Sequence, residues 1–130
     1  MFFDMKKKEV LIVEDELIIA LMLEQMTVQL NHKVVDKVVT GRAAIDRALA
    51  LCPDVILMDI RLQDNIDGIE AVEKIHEHID SSIIYITGNT DQRLKDRIQK
   101  TSYVDFLAKP INKSQLENAF DLVSQKVLQE

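Results

Sequence analysis

Five times along this chain a short apolar run is followed by a longer stretch of good helix formers. That alternation limits the fold more than any other feature of the sequence. The runs fall at residues 10–13, 33–39, 54–59, 82–87 and 103–107, and the helical segments at 16–30, 41–50, 68–79, 91–100 and 112–128. A strand followed by a crossover helix returns to pair in parallel, so five such units predict one parallel sheet with helices on both faces. Local signals agree. Thr40 is placed to cap the second helix and Pro53 to close it. Asn112 and Gln115 stand three apart, as in a capping box. Leu116, Ala119, Phe120, Val123 and Val127 repeat at helical spacing, while Leu122 and Leu128 fall off that stripe.

Strand composition predicts the order. Runs one, three and four are almost wholly apolar, as expected of strands covered on both faces and flanked on both sides. Runs two and five carry Asp36, Lys37 and Asp105, which edge strands tolerate. The expected order is 2-1-3-4-5, an α/β, flavodoxin-like, doubly wound sheet. A length of 130 residues fits one such domain, assigned to residues 9–128 behind a leader at 1–8 in which Lys6, Lys7 and Lys8 are solvated.

The net charge of −6 excludes a broad basic face for nucleic acid. The longest apolar run, residues 17–23, is too short to span a bilayer. The first eight residues lack the basic-then-apolar order of a secretory signal, so the cytoplasm is the expected compartment and no membrane partner is expected. Cys52, the single cysteine, reads as a small buried side chain beside Pro53. His32 reads as a solvated loop residue. His76 and His78, two apart on a helix, do not share a face. The fourth helix, with Leu94 and Ile98 as its apolar anchors, is expected to be largely exposed.

In an open parallel sheet, ligands bind beyond the carboxyl ends of the strands, where the order reverses. Here that point lies between strands one and three, which end in Glu14-Asp15 and Asp59. Like charges this close need a counter-ion, and carboxylate oxygens with vacancies for water suit Mg²⁺. Strand four delivers Thr87, a hydroxyl donor followed by Gly88, which leaves room for an approaching group. Strand five delivers Lys109, a mobile cation before Pro110. Acids, a nucleophilic carboxylate, a hydroxyl and a cation make up a set suited to phosphoryl transfer.

Five fragments then stand in order: Val10-Leu11-Ile12-Val13-Glu14-Asp15-Glu16, Leu57-Met58-Asp59-Ile60, Asp67-Gly68-Ile69-Glu70, Tyr85-Ile86-Thr87-Gly88 and Phe106-Leu107-Ala108-Lys109-Pro110. Together they resemble the receiver domains of bacterial two-component response regulators, the CheY-like group, over nearly the whole chain. The resemblance implies that Asp59 accepts the phosphoryl group. It implies Mg²⁺ held by Asp15, Asp59 and the backbone carbonyl of Arg61, with Glu14 acting through bound water. Thr87 and Lys109 would hold phosphoryl oxygens, Thr87 and Phe106 would carry the switch, and Arg61 and Asn89 would tune dephosphorylation.

The partners it implies are a sensor histidine kinase or phosphotransfer protein, and an output domain or second copy through the surface of helix four, strand five and helix five. It implies self-phosphorylation and dephosphorylation rather than turnover of an external substrate. The loop at residues 60–68 is one residue longer than the family's commonest pattern and lacks its usual proline. A flavin site would want a Gly-, Ser- or Thr-rich loop where Glu14-Asp15-Glu16 stands. A haloacid-dehalogenase-type phosphatase would want an acid where Arg61 stands.

Overall fold

The computed structural model describes residues 7–89 and 91–129, with the side chains of 127–129 outside that description. Residues 1–6 of the expected leader also lie outside it. The elements run β1 (Glu9–Val13), α1 (Leu17–Gln29), β2 (Lys33–Val38), α2 (Gly41–Leu51), β3 (Val55–Asp59), α3 (Gly68–His76), β4 (Ser82–Thr87), α4 (Gln92–Gln99), β5 (Asp105–Ala108) and α5 (Lys113–Gln129). All strand pairs are parallel, in the order β2-β1-β3-β4-β5 expected from composition.

Burial follows the strand alternation. Leu11, Val13, Ile56, Met58, Ile83 and Tyr85 point to one face and pack under α2, α3 and α4. Val10, Ile12, Val55, Leu57, Ile84 and Ile86 point to the other and pack under α1 and α5. Sided cores of this kind fix the register, because a one-residue slip would exchange the two faces. The strand ends that carry the polar groups therefore sit in fixed relation.

Thr40 caps α2 by accepting the Ala43 N–H at 3.0 Å. Asn112 and Gln115 exchange backbone-to-side-chain bonds of 2.8 and 2.9 Å before α5. Helix α3 stops at His76, short of the expected residue 79. There the Glu77 N–H bonds back three residues to Lys74, and the His76 ring binds the carbonyl of Ser81 at 2.9 Å. Strand β5 starts at Asp105, although the Val104 N–H already reaches the Ile83 carbonyl at 2.8 Å. On α4 Ile98 is buried and Leu94 half-buried, and most of the rest is exposed.

Three expectations are corrected. Cys52 is exposed, because it serves as the C-cap of α2 in the left-handed region, φ 46°, with its side chain turned outward. Lys8 is buried, 6% exposed, and its carbonyl accepts the Lys33 N–H at 2.9 Å, which extends the contact between β1 and β2. His32 is half-buried: its ring stacks on Phe120 of α5 with centroids 4.2 Å apart, and its Nδ1 accepts the Lys8 N–H at 3.0 Å. Helix α1 is apolar on two sides. Ala20 and Leu23 face the core, whereas Leu17, Ile18, Leu21, Met22 and Val28 stand exposed. Among the described residues no helix is long and apolar enough to cross a membrane.

Burial, then the charge of Lys8, hold the His32 pKa below its ordinary 6.5, with Asp121 opposing them. As pH falls below 6.5 the unfolded chain takes up this proton before the folded one does. The contribution of His32 is thus complete above 6.5 and declines on acidification. We expect His32→Gln to lower Tm at pH 7.5, with the gap to wild type narrowing by pH 5.5 in paired thermal melts. A gap that widens on acidification would contradict the assignment.

Candidate functional site

At the carboxyl edge of the sheet a hollow of about 610 Å³ is lined by Asp15, Glu16, Asp59, Arg61, Thr87, Gly88, Asn89 and Lys109. Each strand end supplies its group through a specific backbone arrangement. After β1 the Glu14 N–H still bonds to the Val38 carbonyl, 3.0 Å, so the chain stays extended for one more residue. The Glu14 side chain is consequently buried, 1% exposed. It turns back to accept the Glu16 N–H on Oε2 at 3.1 Å, where α1 begins. Asp59 closes β3, buried in register beside Ile86.

Thr87 closes β4, buried, with its Oγ1 accepting the Asn89 N–H at 3.1 Å. The Lys109 N–H donates to the Thr87 carbonyl at 2.8 Å, which ties the end of β5 to the end of β4. The Lys109–Pro110 peptide bond is cis. From that anchor the Lys109 ammonium lies 2.9 Å from Glu14 Oε1, 3.5 Å from Asp59 Oδ2 and 4.0 Å from Glu16 Oε1. Gly88 has open space where a Cβ would stand.

Phe106 lies off the hollow, half-buried against the core face under α2, α3 and α4. Glu16 is the lining residue that the sequence reading gave no separate role. Its signal was present as the third of three consecutive acids. The sequence also gave no hint of how the loop after Asp59 is held. Asp64 accepts the N–H groups of Gly41 and Arg42, and Asp67 pairs with Arg97 of α4 at 2.9 Å.

The site is electrostatically uneven. Burial first, then the charge of Glu14, push Asp59 up to about 7; Lys109 opposes this and Asp15 adds to it. Burial alone would lower the Lys109 pKa, but its bond to Glu14 and the charges of Asp59, Glu14 and Glu16 outweigh burial and raise it. Glu14, Asp15 and Asp59 each offer an oxygen within 4.8 Å of the others. These three acids and Glu16 outnumber the one ammonium of Lys109, so the hollow carries an excess of acid that a divalent cation would offset. All-oxygen donors beside an open hollow with room for water fit a hard ion such as Mg²⁺.

Comparison with known proteins gives the family. The family model described as "Response regulator receiver domain" matches residues 10–121. The chain belongs to that family. It is 30% identical over 120 residues to the chemotaxis protein CheY of Thermotoga maritima, covering 91% of this chain and 98% of that one. It is also 30% identical over 103 residues to a protein-glutamate methylesterase/protein-glutamine glutaminase of Archaeoglobus fulgidus, covering 78% of this chain but 29% of that longer protein. Among solved structures, the signal receiver domain of a modulated diguanylate cyclase from Desulfovibrio desulfuricans G20 superposes with a TM-score of 0.89. That match has 29% identity and covers 96% of this chain and all of that one.

A carboxyl pKa raised by folding means that the folded state holds its proton longer, so stability is lost as pH rises from 3.8 toward 7. Asp59→Asn removes that penalty. In the metal-free protein we expect the substitution to raise Tm by a few degrees at pH 8, the gain shrinking toward pH 5 in calorimetric scans. An unchanged Tm at pH 8 would contradict the crowding of the acids.

Proposed function

We propose that this receiver domain of the two-component response regulator type accepts a phosphoryl group on Asp59 with Mg²⁺ and changes shape in response. The observation that carries this reading is the Lys109 ammonium, set 3.5 Å from Asp59 on the rim of an open hollow that also holds Thr87. A carboxylate oxygen of Asp59 forms the bond to phosphorus as the bond from phosphorus to the donor's leaving atom breaks. That leaving atom is a histidine nitrogen in a kinase or phosphotransfer protein and an acyl oxygen in acetyl phosphate. Asp15, Asp59 and the Arg61 carbonyl would hold Mg²⁺, with Glu14 reached through water. The ion would supply charge neutralisation on the transferring oxygens.

The protein's own groups do the positioning. Lys109 swings from Glu14 to a phosphoryl oxygen. Thr87 keeps the Asn89 N–H on its oxygen while its hydroxyl turns from the Asn89 carbonyl to donate a hydrogen bond to the phosphoryl group. Arg61 and Asn89, both lining the hollow, govern access of the water that would hydrolyse the acyl phosphate. The register that pairs Tyr85 with Phe106 and Thr87 with Ala108 supports a relay from Thr87 to Phe106 and the α4-β5-α5 surface. That surface would meet an output domain or a second copy. Phosphorylation and dephosphorylation of its own Asp59, in the cytoplasm, would be the extent of its catalysis.

With acetyl phosphate and Mg²⁺ we expect intact-mass spectrometry to record the gain of one phosphoryl group. The gain should be lost on chelation and in Asp59→Asn, and slowed at least tenfold in Lys109→Ala. Full labelling of Asp59→Asn would sink the reading.

A further inference from the structure

We propose that Asp64 is the positioning residue for the metal-binding backbone after Asp59, holding the Arg61 carbonyl where Mg²⁺ requires it. This inference rests on the reading of the hollow as a Mg²⁺ site. The loop leaves β3 and returns to α3 through a narrow base, where the Gly68 N–H bonds to the Ile60 carbonyl at 2.8 Å. A Cβ on Gly68 would collide with the Asp59 carbonyl, so the base of the loop is closed against the strand end. Residues 61–67 then run over the surface with Leu62 and Ile66 half-buried against the core, and the polar backbone between them needs further ties to hold one orientation.

Asp64 is the midpoint of that segment. Its Oδ1 accepts the Gly41 N–H at 2.9 Å and its Oδ2 the Arg42 N–H at 3.0 Å, the first two donors of α2. The loop presses close at this point, since a Cβ on Gly41 would strike the Ile66 carbonyl. Although burial works the other way, backbone N–H groups of Gly41, Arg42, Asp64 and Ile66 hold the Asp64 pKa below its ordinary value. One carboxylate therefore binds the loop to itself and to the neighbouring helix.

The start of α2 has a second cap besides this arrangement. Thr40 already caps α2 through the Ala43 N–H. The far flank of the loop has its own anchors, Asp67 in a capping box with Glu70 and in an ion pair with Arg97. Leu62 packs against the core on the near flank, and among the described residues Asp64, three residues from Arg61, adds the side-chain hydrogen bonds that orient the polar backbone there. This tie suits a loop that is one residue longer than is common and lacks a stiffening proline.

Calorimetric titration with MgCl₂ on the full chain tests the assignment. Groups that orient a metal ligand change affinity by about 10- to 100-fold when removed. Asp64→Ala should weaken Mg²⁺ about tenfold, while saturating Mg²⁺ restores its rate of labelling by acetyl phosphate. Asp64→Asn, which keeps one acceptor oxygen, should fall between Ala and wild type, and it serves as the readable variant should Asp64→Ala fail to fold. Thr40→Ala, which weakens the same helix end without touching the loop, should lower Tm yet leave Mg²⁺ affinity within about twofold. Wild-type affinity in the Asp64 variants, or equal weakening in Thr40→Ala, overturns the positioning role and leaves the functional reading standing. Wild-type protein that takes up no Mg²⁺ overturns both.

Discussion

Carboxylates at the ends of two neighbouring strands repel one another, and in the metal-free protein the ammonium of Lys109 opposes that repulsion. Its contacts with Glu14 and Asp59, at 2.9 and 3.5 Å, bridge the ends of β1 and β3, which pair side by side in the middle of the sheet. Both acids are almost fully buried, so the pair operates where water screens little. Removing the cation would leave an uncompensated buried cluster, the expensive outcome for ionised groups in a protein interior. Lys109 is in turn aimed by its backbone bond to Thr87, and so the hydroxyl and the cation are set by one contact.

The fold tolerates such a cluster because the strands that carry it are held elsewhere. Val10 to Val13 and Val55 to Met58 are at most 1% exposed and packed on both faces. Each fully buried aliphatic side chain contributes roughly 1.5–3 kcal/mol. Those side chains leave no freedom for the strand ends to spread and relieve the repulsion. Burial first, and the repulsion from Glu14 after it, raise the Asp59 pKa, which makes the site receptive to any group that adds positive charge or removes a negative one.

Period-two and period-3.6 patterns carried the elements, and the contrast between apolar strands and the charged Asp36, Lys37 and Asp105 carried the strand order. The site's four strand ends were legible for the same reason: in a parallel sheet all carboxyl ends lie on one edge. Contacts between segments distant in sequence were not legible. Nothing local to His32 signals a stack on Phe120, 88 positions away, and nothing local to Lys8 signals that its backbone joins β2. Cys52 was misread because burial was inferred from residue type, whereas the turn into Pro53 places it in a left-handed cap facing outward. The ties from Asp64 to α2 and from Asp67 to Arg97 escaped for a related reason. Acids in a polar loop look alike until the fold supplies their donors.

These ties bear on how a local charge change reaches a distant surface. The loop after Asp59 is pinned to α2 on one side and, through Asp67 and Arg97, to α4 on the other. The β4–α4 loop meets the hollow through Asn89, whose N–H is held by Thr87. Helix α4 therefore has two links to the vicinity of Asp59, one through the Thr87 hydroxyl and one through the Arg97 guanidinium. Apart from Ile98 and Leu94 it has little apolar attachment to the core. An element held mainly by polar contacts, with few buried side chains, is the part of a structure that a shift of a kilocalorie or two can move. On the proposed reading, a charge arriving at Asp59 would act on α4, a helix with little apolar attachment, through the Thr87–Asn89 contact at the hollow and the Asp67–Arg97 pair beside it.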